Sequence, residues 1–392
     1  MSDSGTGTGG TGGRATGDRV VRSFEDRFGA SHEVLVRAPG RVNLIGEHTD
    51  YNDGFVMPVA IERAIWIALR PREDRTVRVW SADYEEEATF DLDALARGGP
   101  GWAEYLKGTA WALQEAGHAV AGWDGVVGGD VPRGAGLSSS AALELATARA
   151  FTAITAAGWL PDTMARLAQK AENEWVGVEC GIMDQMISAV GKARHAVLID
   201  CRSLDTRPVP LPDGTVVVIL DTATRRGLVD SAYNERRRQC EVAAAHFDVP
   251  ALRDVTPAML DEERDALDEV TARRARHVVT ENARTLAAAD AMAAGQAGTL
   301  GRLMDESHAS LRDDFEVSSD ALDTMVEVAR SAPGSRGARM TGAGFGGCAV
   351  ALVDRDAVDA FIEATRTGYR AQAGREPAVY VTAGSEGAAV VS

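Results

Sequence analysis

Between Pro132 and Ala142 the chain reads PRGAGLSSSAA, a run able to hold a phosphate. Gly134 and Gly136 allow backbone conformations and close approaches closed to other residues. The run opens into a helical pattern over Ser140–Ala157, whose first turn offers unpaired N–H donors and a partial positive charge. Gly134, Ala135, Gly136, Leu137, Ser138, Ser139 and Ser140 are therefore candidate phosphate contacts. The three hydroxyls could cap the helix, bind phosphate oxygens or coordinate Mg²⁺. A glycine turn with a serine cap is a common structural alternative, but three successive serines favour phosphate. The GxxxxGK[ST] loop and the HRD and DFG motifs of protein kinases are absent.

A second concentration of polar groups is GRVNLIGEHTDYN, residues 40–52. Arg41, Asn43, Glu47, His48, Asp50, Tyr51 and Asn52 could donate to and accept from several hydroxyls, as a sugar requires. A solvated loop is the alternative, although Val42, Leu44 and Ile45 would anchor this one in a core. A metal site on Glu47, His48 and Asp50 is disfavoured, since the spacing does not set three ligands on one helix face.

Two carboxylates complete the set. Glu172 lies beside the buried stripe of a helical pattern, and Asp184 lies in CGIMDQ among apolar neighbours. One at Mg²⁺ and one at an attacking hydroxyl would suit phosphoryl transfer, which rests on positioning and charge stabilisation. Spacing alone allows a capped or salt-bridged Asp184 equally well. Arg41 is its natural partner. His48 is an alternative base, with Asp184 preferred.

The frame around these residues is an ordinary globular chain of 392 residues, 45% apolar and 25% charged. The net charge of −17 argues against nucleic acid and anionic membrane surfaces. Lys107, Lys170 and Lys192 are the full set of lysines, so an anionic ligand needs backbone amides, a metal ion or a placed arginine. Cys180, Cys201, Cys240 and Cys348 form no CxxC pair, which points to reduced thiols. No signal peptide and no run of about 20 apolar residues is present, so a cytoplasmic protein is expected.

Residues 1–17 are low-complexity and expected to be disordered. Helical patterns follow near Val20–Phe28, Tyr105–Ala116, and from Pro161 to a stop at Gly177. Strands are expected at 34–36, 64–69, 76–80, 126–127, 196–199 and 216–220, with a long polar loop over Pro39–Gly54. The second half is helical to about Ala332, then carries TGAGFGG, a strand over 348–353, a helix over 357–369 and a last strand over 378–382. Strands mixed with helices, without strict βαβ alternation, predict an α+β fold. The Pro-rich piece Arg207–Pro212 is the candidate interdomain boundary.

The motifs resemble a known family. GRVNLIGEHTDYNDG is similar to the signature of the galactokinases, within the galactokinase–homoserine kinase–mevalonate kinase–phosphomevalonate kinase (GHMP) superfamily. PRGAGLSSSAALE resembles the superfamily's ATP loop and TGAGFGG its C-terminal glycine motif. AENEWVGVECGIMDQ, SAYNERR at 231–237 and SLRDDFEVS at 310–318 also resemble galactokinases. The resemblance implies a two-domain GHMP-kinase-like fold, domains 18–209 and 210–392, with the active site in the interdomain cleft. It implies ATP and Mg²⁺ as cofactors and galactose as substrate, phosphorylated at the C1 hydroxyl. It further implies Glu47, His48, Thr49, Asp50 and Tyr233 at the sugar, Asp184 as base and Arg41 beside it. Ser140 and Glu172 would hold Mg²⁺, Ser81, Trp102 and Tyr105 would meet the nucleotide, and Gly342, Gly344 and Gly346 would let the second domain approach the phosphates. For Trp102 and Tyr105, plain core packing is the reading from spacing. An N-acetylgalactosamine kinase, a broader hexose kinase and a non-catalytic sugar sensor are the rival readings. A monomer is expected.

Overall fold

The computed structural model of the chain describes residues 11–224, 229–263 and 266–392. Strands β1 (Val34–Asn43), β2 (Phe55–Val56), β3 (Pro58–Pro71), β4 (Thr76–Ser81), β5 (Glu86–Asp91), β6 (Trp123–Gly129), β7 (His195–Asp200), β8 (Thr206–Pro210), β9 (Thr215–Asp221), β10 (Ser335–Met340), β11 (Cys348–Asp354), β12 (Ala378–Thr382) and β13 (Ala389–Val390) form three sheets. The first runs β13-β1-β3-β6-β4-β5, the second β10-β11-β9-β12 and the third β2-β7-β8. Pairing is antiparallel except between β4 and β6, as expected of an α+β fold.

Helices α1 (Thr11–Phe28), α2 (Gly101–Glu115), α3 (Ser139–Ile154), α4 (Pro161–Lys170) and α5 (Met183–Val190) belong to the N-terminal lobe. The C-terminal lobe carries α6 (Val229–His246), α7 (Pro257–Glu262), α8 (Glu269–Ala293), α9 (Ala297–Asp313), α10 (Asp320–Ser331) and α11 (Val358–Ala373). On one face of the first sheet, Leu145 and Phe151 of α3 and Met186 and Ile187 of α5 share a core with Ile67, Val77 and Val127. On the other face, Val20 and Phe24 of α1 pack on Trp66 and Val126. A further core crosses between the lobes. Val42, Leu44 and Ile45 of the first motif meet Leu137 of the glycine loop and Val217, Leu303, Met304 and Val350 of the second lobe.

Three expectations need correction. The disordered tail was set at 1–17, but α1 begins at Thr11 and Thr16 is buried; residues 1–10 lie outside the described residues. Packing of the helix face on the first sheet outweighs the poor propensity of its Gly- and Thr-rich start. The polar loop was set at 39–54, but β1 runs on to Asn43, because β3 offers it a ladder of partners: Arg41 faces Ala60 and Asn43 faces Pro58 after an irregularity at Pro39–Arg41. The 209/210 boundary falls inside β8; the sheets change between Pro210 and Thr215, and β13 returns to pair with β1.

Candidate active site

The glycine loop reaches the first motif through Gly40. A side chain there would put its Cβ 2.6 Å from the Leu137 carbonyl, and the Arg41 amide donates to that same carbonyl at 3.1 Å. This close approach sets Arg41 against Asp184. Arg41 is buried; its Nε donates to Asp184 Oδ1 and its Nη2 to Oδ2, both at 2.8 Å, while Nη1 donates to the Gly136 carbonyl at 2.6 Å. The Ser138 hydroxyl donates to Asp184 Oδ2. Ser138 stands at the N-cap position of α3 with φ +59°, yet its side chain makes no cap. The first-turn amides of α3 are thus without a cap from the Ser138 side chain.

Glu172 sits in a six-residue π-turn, Ala171–Val176, between α4 and Gly177. This geometry recurs at functional sites and was not foreseen, a single helix being expected from Pro161 to Gly177. Gln185 Nε2 donates to Glu172 Oε2 at 2.6 Å and to Glu144 Oε2 at 3.2 Å. Burial pushes both carboxyls above the usual range, Glu144 furthest.

Asp50 is half-buried in the cavity wall, where Gly181 leaves it room: a Cβ on Gly181 would overlap its carboxylate. Burial and then the Asp184 charge lift the Asp50 carboxyl to about 6, against the pull of the Tyr51 and Met183 amides. His48 has φ +61°, bonds through Nδ1 with the Tyr51 hydroxyl at 2.9 Å and stacks near Phe315 and Tyr233. Burial, then neighbouring His277, depresses its imidazole to about 3. One ring nitrogen of His48 is thus taken up by Tyr51, while Nε2 has no hydrogen-bond partner among the described residues.

Together these groups line one cavity of about 820 Å³. Its walls combine Arg41, Glu47, His48 and Asp50, the stretch from Gly134 to Ser140 without Ala135, Glu172, Asp184, and Ser231, Tyr233, Gly342 and Ala343 of the second lobe. Thr49, Ala135, Ser81, Trp102 and Tyr105 stand outside it. Thr49 spends its hydroxyl on the Gly46 and Phe55 carbonyls, holding the loop's shape. Ala135 is fully buried. Ser81 Oγ accepts from the Tyr84 amide, and Trp102 stacks parallel to Tyr84 with centroids 6.4 Å apart. Among the described residues no lysine lines the cavity.

Sequence reasoning missed the groups behind the first motif. Glu281 Oε1 accepts from the Gly46 amide at 2.9 Å and the Ser307 hydroxyl at 2.6 Å, and Oε2 from Arg284 at 2.7 Å. His277 Nε2 meets the Glu47 carbonyl at 3.0 Å. His277, Glu281 and Thr285 recur every four residues on the buried face of α8. A polar stripe where a helix should be apolar was the available signal.

Comparisons with known proteins agree with this geometry. Residues 22–71 match the galactokinase galactose-binding signature, 104–192 the GHMP kinases N terminal domain and 288–371 the GHMP kinases C terminal model. A galactokinase of Roseiflexus sp. (strain RS-1) is 50% identical over 369 residues, covering 93% of this chain and 94% of that protein. The structure of Lactococcus lactis galactokinase complexed with galactose superposes with a TM-score of 0.91 at 37% identity, covering 94% of this chain and 98% of that one. Methanococcus jannaschii mevalonate kinase, 17% identical, shares the fold with a TM-score of 0.62 over 90% of this chain and 98% of its own. The cavity between two lobes, its two motifs and these likenesses agree: the chain belongs to the galactokinase family of the GHMP kinases.

Proposed function

We propose that the chain moves the γ-phosphoryl group of ATP onto the C1 hydroxyl of α-D-galactose, giving galactose 1-phosphate and ADP, with Asp184 as the base. The observation that carries this reading is the convergence of Arg41, Ser138 and Asp184 at the join of the glycine loop and the polar motif. Galactose lies against Glu47, His48, Asp50 and Tyr233, and the triphosphate lies along Gly134–Ser140 at the start of α3. Arg41 and Ser138 hold the Asp184 carboxylate in place, with Arg41 Nη2 within 2.8 Å of both of its oxygens. The Asp184 carboxylate accepts the C1 hydroxyl proton as that oxygen attacks the γ-phosphorus and the bond from phosphorus to the ADP oxygen breaks. Arg41, already fixed by two partners, meets the charge that develops between base and phosphoryl with no reorganisation. Adenine extends toward Ser81, Trp102 and Tyr105, near the stacked Tyr84–Trp102 pair and Arg133, whose guanidinium lies 4.5 Å from the Tyr84 ring centre.

The residues fit Mg²⁺. Ser140 hydrogen-bonds Glu172, which gives two hard oxygen donors beside the phosphate loop, and this ion takes few protein ligands besides phosphate oxygens. Behind them Glu144 is buried with its Oε1 lacking a protein partner among the described residues, an oxygen left over beside the Glu172 carboxyl. Held by Ser140 and Glu172, the ion would supply positive charge against the phosphates.

Among the described residues no helix is long and apolar enough to cross a membrane. We place the enzyme in the cytoplasm as a monomer; the cytoplasmic reading is supported by the absence of any disulfide among the described residues. Incubation with ATP, Mg²⁺ and galactose, N-acetylgalactosamine or glucose, with products read by phosphorus NMR, tests the reaction. A C1 phosphate formed fastest from galactose is expected. Turnover of N-acetylgalactosamine alone would reassign the substrate.

A further inference from the structure

Arg339, one residue before the end of β10, has no exposed surface. Its Nη2 donates to Glu47 Oε2 at 2.6 Å, joining residues 292 positions apart. Its Nε and Nη1 have no protein partner among the described residues. Two positions on, the Thr341 hydroxyl donates to the Asn43 carbonyl at 3.0 Å and accepts from the Asn43 amide at 3.2 Å. The Gly342 amide also supports the Glu47 carboxylate. A carboxylate supplied by the first lobe is thus oriented from the second, by the stretch that leads into TGAGFGG.

A buried arginine with a single carboxylate partner is a weak source of stability, because a matched apolar pair does as well or better. The value of the pair lies in what Glu47 does. Glu47 lines the cavity, and the bond of its Oε2 to Arg339 fixes the plane of the carboxylate and so the directions in which its oxygens can accept from a ligand. Without Arg339 the carboxylate would be a buried charge free to rotate or take up a proton.

We infer that Arg339 is a positioning residue for the acceptor sugar: its ion pair with Glu47 fixes the acceptor oxygen offered to a sugar hydroxyl and ties sugar affinity to the registration of the two lobes. The inference rests on the galactokinase reading of the cavity.

Steady-state kinetics of the full-length enzyme with galactose and ATP test it, using Arg339→Lys, Arg339→Met, Glu47→Gln and the Glu47→Gln/Arg339→Met double variant. Arg339→Met is expected to raise the galactose KM about 30-fold or more while kcat and the ATP KM stay within about threefold, the pattern of lost binding rather than lost chemistry. Arg339→Lys restores part of that loss. The double variant is no worse than Glu47→Gln, because both changes remove one interaction, and melts no lower than Arg339→Met. A galactose KM within about twofold of wild type in Arg339→Met, or effects that multiply in the double variant, overturns the inference. Should Arg339→Met fail to fold, Arg339→Lys decides: a selective rise in galactose KM supports the role, and unchanged constants overturn it. A wild-type enzyme that does not phosphorylate galactose removes the functional reading itself, and this inference with it, before any variant is compared.

Discussion

Arg41 and Asp184 face each other as a two-point fork, Nε to Oδ1 and Nη2 to Oδ2, both at 2.8 Å. The strand that carries Arg41 and the helix that carries Asp184 are locked by that contact. Ser138 joins the same carboxylate from the phosphate loop. The glycine loop, the first motif and Asp184 are thereby joined through one carboxylate.

The planar fork makes the first prediction. Arg41→Lys keeps the charge but cannot donate twice in parallel. The expected result is a fall in kcat of about two orders of magnitude, with a far smaller change in galactose KM, since the loss falls on the transition state. Initial-rate kinetics at saturating ATP check it.

Gly181→Ala pushes Asp50 off its place, because the added methyl overlaps the Asp50 carboxylate. Galactose KM should rise at least about tenfold, through a lost charge-assisted contact. The ATP KM should stay unchanged. Titration calorimetry with each ligand separates the two.

Asp50 also gives a stability prediction with a definite sign. Its carboxyl rises from 3.8 to about 6 on folding, through burial and then Asp184. Between those values the folded chain holds a proton that the unfolded chain has released. Its contribution to stability therefore falls as pH rises through that window and stays low above it. Asp50→Asn should melt about 1–3 °C higher than wild type at pH 7.5. The gain should vanish below about pH 4, and galactose binding should weaken. Melting curves across pH with and without galactose show both.

Glu281 runs the other way. Burial pushes its carboxyl up, but Arg284, His277 and Arg339 prevail and bring it down from 4.5 to about 2. Its stabilisation is complete above the unfolded value and is lost as pH falls through the folded one. Glu281→Gln should lose on the order of 3 kcal/mol at pH 7. The deficit should shrink as pH drops below about 4. Urea unfolding at several pH values measures it.

What could be read from the sequence follows the range of the forces involved. The glycine loop, the helix after it and the apolar anchors Val42, Leu44 and Ile45 depend on local propensity and pattern, and all three stand in the structure. The pairing of Asp184 with Arg41 was expected from charge and apolar surroundings. The extension of β1 to Asn43 was hidden, because its polar residues read as loop while β3 supplied the ladder. Arg339 left no local trace, since its partner Glu47 is 292 positions away. Thr49 sits among sugar-facing residues but turns its hydroxyl to the backbone, a distinction only the fold makes.

The central claim is that Asp184 takes the proton from the attacking sugar oxygen. Asp184→Asn removes the base while keeping the side chain's shape and one acceptor oxygen. Its kcat, measured alongside galactose affinity by calorimetry, tests the claim most directly. A kcat lower by about three orders of magnitude, with galactose affinity within about fivefold of wild type, is predicted. A kcat within about threefold of wild type would place the base elsewhere and contradict the account.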